Sequence, residues 1–173
     1  MTKLKIGFTI LVTLLFATFS TAQETTTISA KDFKVLIGNW QGSLTYLDYS
    51  SGKPYTMPAD AIIKRLGKTN TFIFSSIYPN ETNANSQDTV PISIDGKFIG
   101  TQLVQSKKRF ENGIVEIITE EVGTDGNNNK PATFRTTYTI SKTFFKKRKD
   151  VQFTGEAHWI NRHEYSYQRK PRK

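Results

Sequence analysis

Cysteine is absent from the 173 residues, which excludes disulfides, thiol catalysis and cysteine-ligated metals. Histidine is almost absent too. His158 and His163 are the only two, five apart on one expected strand, and odd spacing puts them on opposite faces, so they cannot jointly grip one metal unless a bulge intervenes. There is no Gly-rich phosphate loop, no Gly-x-Ser-x-Gly elbow and no cluster with metal-ligand spacing. The residues therefore call for no metal, no cofactor and no enzyme. The chain also lacks an apolar run of the ~20 residues a membrane-spanning helix needs; its longest, Ile6 to Phe19, is shorter.

That short run sits behind Lys3 and Lys5 and ahead of Ser20 and Ala22, the pattern of a secretory signal over residues 1–22 cut after Ala22. An exported chain, periplasmic or secreted, is the expectation. Residues 23–30 are Thr-rich and poor in apolar groups and read as a flexible leader, residues 31–169 as one domain, and residues 170–173 as a basic tail. Without disulfides the core must come from burial alone, which a domain of this size can manage. The formal charge is +9 and the pI is near 9.7. The positive residues fall in separated places, Lys107–Arg109, Lys146–Lys149 and Arg169–Lys173, and match no nucleic-acid motif, so nucleic acid is not expected as a partner.

What is abundant is short alternating segments bounded by turn residues. Ala30 to Ile37 carries Phe33, Leu36 and Ile37 at helical spacing behind Ser29, a short helix suited to plugging one end of a barrel. From Gly38 the chain alternates like a strand. A turn at Ser51-Gly52 pairs Tyr46 with Met57, Leu44 with Ala59 and Trp40 with Ile63, collecting Trp40, Gly42, Leu44, Tyr46, Met57, Ala59, Ala61 and Ile63 on one face. In Thr71–Tyr78, Phe72, Phe74 and Tyr78 share one face and Ile73 and Ile77 the other, and periodicity alone does not choose the inward one. Asp95-Gly96 and Asn112-Gly113 are hairpin signals. The first joins Thr89–Ile94 to Lys97–Phe110, with Val90, Ile92, Ile94, Ile99 and Leu103 on one face. The second sets Arg109 opposite Glu116 and Phe110 opposite Val115. A long polar connection over residues 123–131 precedes the alternation Phe134, Thr136, Tyr138, Ile140, and the last two strands turn at Thr154-Gly155-Glu156. The sum is an all-β, antiparallel, up-and-down barrel of eight to ten strands with a short N-terminal helix.

Gly38-Asn39-Trp40 resembles the start of the first strand in the calycin superfamily, the lipocalin-like barrels. That resemblance implies that Trp40 packs across the closed end against an Arg of the last strand, with Arg169 favoured over Arg162 because an antiparallel closure sets the start of the first strand beside the end of the last. The leader, the run from Trp40 to Tyr49 and the closing Arg-His-Glu-Tyr-x-Tyr are similar to lipocalin-like proteins exported by Bacteroidetes-type bacteria. The haem-binding, nitrobindin-like branch of the superfamily implies a single axial histidine, for which His163 or His158 would stand, though a surface or hydrogen-bonded histidine is the simpler reading.

The function expected on these grounds is binding of a small apolar or amphipathic ligand, such as a fatty acid, in the lumen, with Tyr46, Phe72, Phe74, Tyr138, Lys147, Trp159 and Tyr165 as the lumen candidates. On a strand, either Lys147 and Lys149 or Lys146 and Arg148 must turn inward, where they would attract an anionic head group. The alternative is a packed barrel that contacts anionic glycans or lipid head groups of the envelope through the basic strand and tail. Glu116 and Glu120 share a face and read as solvated positions, not as an acid and base pair. Oligomeric state is not legible.

Overall fold

The computed structural model describes residues 27–48 and 51–170. The expected signal, its cleavage site, the first half of the flexible leader and the last three residues of the tail lie outside them. After α1 (Ala30–Lys34) come β1 (Gly38–Leu47), β2 (Pro54–Pro58), β3 (Asp60–Arg65), β4 (Thr71–Ile77), β5 (Ser86–Pro91) and β6 (Phe98–Ile99). They are followed by β7 (Gln102–Arg109), β8 (Val115–Asp125), β9 (Lys130–Ile140), β10 (Phe144–Phe153) and β11 (Ile160–Arg169). The sheet runs β5-β4-β3-β1-β11-β10-β9-β8-β7-β6, antiparallel throughout, and β2 extends the line of β3 along β1. Its two edges meet at one bridge, Ile92 to Ile99, giving a nearly closed barrel of ten strands with a short helix at one end.

The strand faces follow the alternation of the sequence, while several registers differ. β1 pairs Leu44 with Met57 and Gly38 with Ile63, two residues away from the expected pairing. The cause is an earlier turn, in which Gly52 N–H donates to the Asp48 carbonyl, Asp48 N–H donates to Lys53, and Ser51 Oγ donates to the Asp48 carboxylate at 2.6 Å. A slip of two preserves the faces, so Trp40, Leu44, Met57, Ala59, Ala61 and Ile63 are still buried together. At Asn112-Gly113 the slip is one. Phe110 N–H bonds Ile114 across a three-residue loop with Gly113 at φ +79°, so Arg109 faces Val115, and Glu116 pairs with Lys108. That slip turns Val115 and Ile117 inward and leaves Phe110 exposed.

The Asp95-Gly96 hairpin closes only at Ile92 and Ile99, because a second turn at Gly100 (φ +59°) reverses the chain into β7. Ile94 and Leu103 are therefore exposed, while Ile92 and Ile99 are buried. The expected long connection after Gly123 is mostly strand, since β8 and β9 stay paired to Asp125 and Lys130.

Gly42 marks the tightest seam. A Cβ there would lie 2.1 Å from the Ser166 carbonyl oxygen, so β1 and β11 approach closely only because the side chain is missing.

Candidate functional site

One end of the barrel is packed solid. Ser29 N–H donates to the Asp32 carboxylate at 2.8 Å, fixing the start of α1, and Lys107 holds the same carboxylate at 3.3 Å. The anchored helix drives Phe33 into the barrel, with ring centroids 5.7 Å from Phe72, 6.4 Å from Phe74 and 5.6 Å from Tyr138. Trp40 closes the floor beside Phe145 and donates from Nε1 to the Leu36 carbonyl at 2.7 Å. The Arg169 guanidinium lies 4.1 Å from the Trp40 ring and donates to the carbonyls of Val35, Ile37 and Lys142. Arg162 is elsewhere, at the opposite end, paired with Asp125 at 2.5 Å.

Toward that opposite, open end the inner face becomes mixed. β11 contributes Tyr167, Tyr165 and His163 in sequence, with neighbouring ring centroids 5.8 Å and 5.5 Å apart, and Tyr165 Oη bonds Tyr78 Oη at 2.8 Å. β10 sets Lys147 between Tyr165 and Tyr138, and Lys149 between His163 and Thr136. The Lys149 ammonium lies 3.9 Å over the Phe134 ring. Tyr46 faces His163 across β1 and packs with Leu44, Met57, Ala59 and Tyr78. On the remaining wall Thr119 Oγ1 donates to Gln102 Oε1 at 2.8 Å, and Gln102 Nε2 donates to Thr136 and Glu121.

The electrostatics of this half follow from enclosure. Burial holds the Lys147 ammonium below the usual lysine range, Asp88 and Glu121 pull it back up, and Lys149 pushes it further down. Lys147 is half-buried, and among the described residues no hydrogen bond or ion pair to its Nζ is formed. His163 falls to about 4, first through burial and then through Lys147 and Lys149, and is therefore neutral near pH 7. Tyr138, Tyr165 and Tyr167 are raised by burial and stay protonated.

The outer face carries the other half of the basic strand. Lys146 pairs with Glu164 at 3.2 Å and Arg148 with Asp150 at 2.8 Å, so these charges are answered in place. Three lumen candidates stand away from the open half. Trp159 is outside, stacked under the Arg135 guanidinium at 4.0 Å, because it precedes β11 and meets the outward row of β9. Phe72 and Phe74 do face inward, but they belong to the packed half. Tyr46, Tyr138, Lys147 and Tyr165 surround or adjoin the open half. His158 is exposed beside Glu156, so the two histidines are apart, and among the described residues no three His, Asp or Glu stand close enough for a metal.

No protein-family model matches the sequence, and no curated protein matches it. Among solved structures, Rv2717c from M. tuberculosis is similar over 82% of this chain and 96% of its own, with a TM-score of 0.54 and 11% identity. At that identity the likeness is one of fold. The fold is a nearly closed antiparallel barrel of ten strands. Two further structures align with this chain at lower scores. The S-type phycobiliprotein lyase CPES from Guillardia theta aligns at a TM-score of 0.47 and 7% identity, over 86% of this chain and 96% of that one. A zebrafish ileal bile acid-binding protein complexed with cholic acid aligns at 0.37 and 15%, over 80% and 100%.

Proposed function

We propose that the calycin-like barrel binds a small, largely apolar molecule ending in an anion, with the anion at Lys147 and Lys149 and the apolar body against Leu44, Tyr46, Tyr78, Phe134 and Tyr165. The observation that carries the reading is the pair of lysines on the inner face, one of them desolvated and without a bonded counter-ion among the described residues. An ammonium in such a place costs stability, and a ligand anion would offset that cost. Neutral His163 and the Tyr165 hydroxyl beside them are available as hydrogen-bond partners.

The filled floor also sets a size. With Phe33, Phe72, Phe74, Phe145 and Trp40 packing the closed half, the occupant is a compact or aromatic anion, not a long acyl chain stretched down the lumen. Asp88 and Glu121 at the same level keep the site from being purely cationic and select against a doubly charged ligand. Export to the periplasm or medium is part of this proposal and rests on the N-terminal pattern.

Native mass spectrometry of the isolated chain beside a denatured control tests the reading, with anilinonaphthalene sulfonate as the added anionic probe. One bound probe per chain, displaced by short aromatic carboxylates, is expected. A barrel that takes up neither the probe nor any isolated small mass would overturn it.

A further inference from the structure

The positive charge of this chain is not where the sequence suggests. In the Lys146–Lys149 run two residues are paired outside and two turn inward, so that strand presents no basic face. The excess lies instead at the closed end, in the turns that leave the sheet where β1 begins. Arg65 and Lys68 flank the β3–β4 turn, Lys97 the β5–β6 turn, and Lys107, Lys108 and Arg109 the β7–β8 turn. Lys31 and Lys34 of α1, with Lys142 and Lys170, add to the same end. Its carboxylates among the described residues are Asp32, Asp95, Glu111 and Glu116; Asp32 is buried under Lys107 and Arg109, and Glu116 stands opposite Lys108. Over the rest of the described barrel carboxylates and cations nearly balance.

Each of those three turns also holds one large apolar side chain out in solvent. Leu66 is 53% exposed, Ile94 100% and Phe110 46%. A scattered surface leucine is ordinary. Three hairpin tips on one end of a barrel, each carrying an aliphatic or aromatic group with at least one lysine or arginine in the same turn, form a repeated arrangement. The turn geometry places them there: Gly67 (φ +57°), Gly96 (φ +71°) and Gly113 (φ +79°) each take the left-handed conformation beside or near the exposed side chain.

We propose that this end docks on an anionic lipid bilayer, with Leu66, Ile94 and Phe110 entering the interface and the surrounding cations meeting the head groups. Charge complementarity selects an anionic surface. The apolar tips select a bilayer, since a soluble anionic polymer gives them nothing to enter. Docked in this way, the barrel points its open end away from the membrane. The proposal stands apart from the ligand reading, because no residue of the open half takes part in it.

The test is sedimentation of the full chain with phosphatidylcholine vesicles, with and without phosphatidylglycerol. Native protein should bind only the anionic vesicles and be released by salt. K68E/K97E/K108E, one reversal per tip at exposed positions, should weaken binding by at least about tenfold. I94S/F110S should weaken it by about tenfold with the charge unchanged. K146E/R148E, on the paired outer face, should bind as the native chain does. Native-like binding by either tip variant overturns the proposal, as does an equal loss in K146E/R148E. Retention on heparin with no vesicle binding, unchanged in I94S/F110S, would assign the surface to an anionic polymer and overturn it too.

Discussion

Replacing Lys147 by Met separates a functional lysine from a structural one, because the two roles predict opposite signs. The stem of Lys147 is flanked by Tyr138 and Tyr165 across the adjoining strands, and its ammonium is desolvated with no bonded partner among the described residues. Met keeps the length and apolar packing of the stem while removing the charge. The free protein should therefore gain about 1 to 2 kcal/mol, from the desolvation no longer incurred. For a chain of this size that is an increase of roughly 2 to 8 °C in Tm. The assay is urea denaturation, read as a higher midpoint at unchanged m. Affinity for anilinonaphthalene sulfonate should fall about ten- to a hundredfold, the scale of one hydrogen bond to a charged group. A lower midpoint, or unchanged affinity, would refute the reasoning and leave Lys147 as a packing residue.

His163 should titrate in NMR well below the usual 6.5, at about 4. The unfolded chain takes up that proton first as pH falls, so His163 contributes stability that is complete above about pH 6.5 and lost on the way down to about 4. The loss is up to about 3 kcal/mol, and H163Q should abolish that part of the pH dependence. R169Q should lower stability by about 3 kcal/mol, because it removes the cation over Trp40 and charged hydrogen bonds to the Val35, Ile37 and Lys142 carbonyls. Equilibrium unfolding followed by tryptophan fluorescence checks it, and a loss below about 1 kcal/mol would mean that α1 alone closes the floor.

Much of this architecture is written in the alternation of residues. A two-residue slip between β1 and β2 left every side chain on its expected face, because the strand period is two. The same parity that places Lys147 inside also finds Lys149 and His163, which stand in register with each other. The turns were less legible. Asn112-Gly113 supports a two- or a three-residue loop, and only the observed hydrogen bond from Phe110 to Ile114 decides which face Glu116 takes. Gly100 sits inside an apparently continuous strand, so the reversal that exposes Leu103 and brings Gln102 to Thr119 and Thr136 left no periodic signal. Trp159 misled for a related reason: composition marks it as a core residue, but it lies just before β11, where alternation does not constrain it. Nor does any local pattern show that Asp88, exposed on the β5 edge, comes near enough to act on the Lys147 ammonium, since that nearness arises only when the sheet curls.

The most direct test of the central claim is a crystal structure of the protein with a bromine-labelled aromatic sulfonate, located by anomalous scattering. The account predicts the sulfonate within hydrogen-bonding reach of Lys147 Nζ or Lys149 Nζ, with the ring against Tyr165 and Leu44 in the open half of the barrel. A sulfonate found only on the outer face, at Lys146 and Arg148, would contradict it.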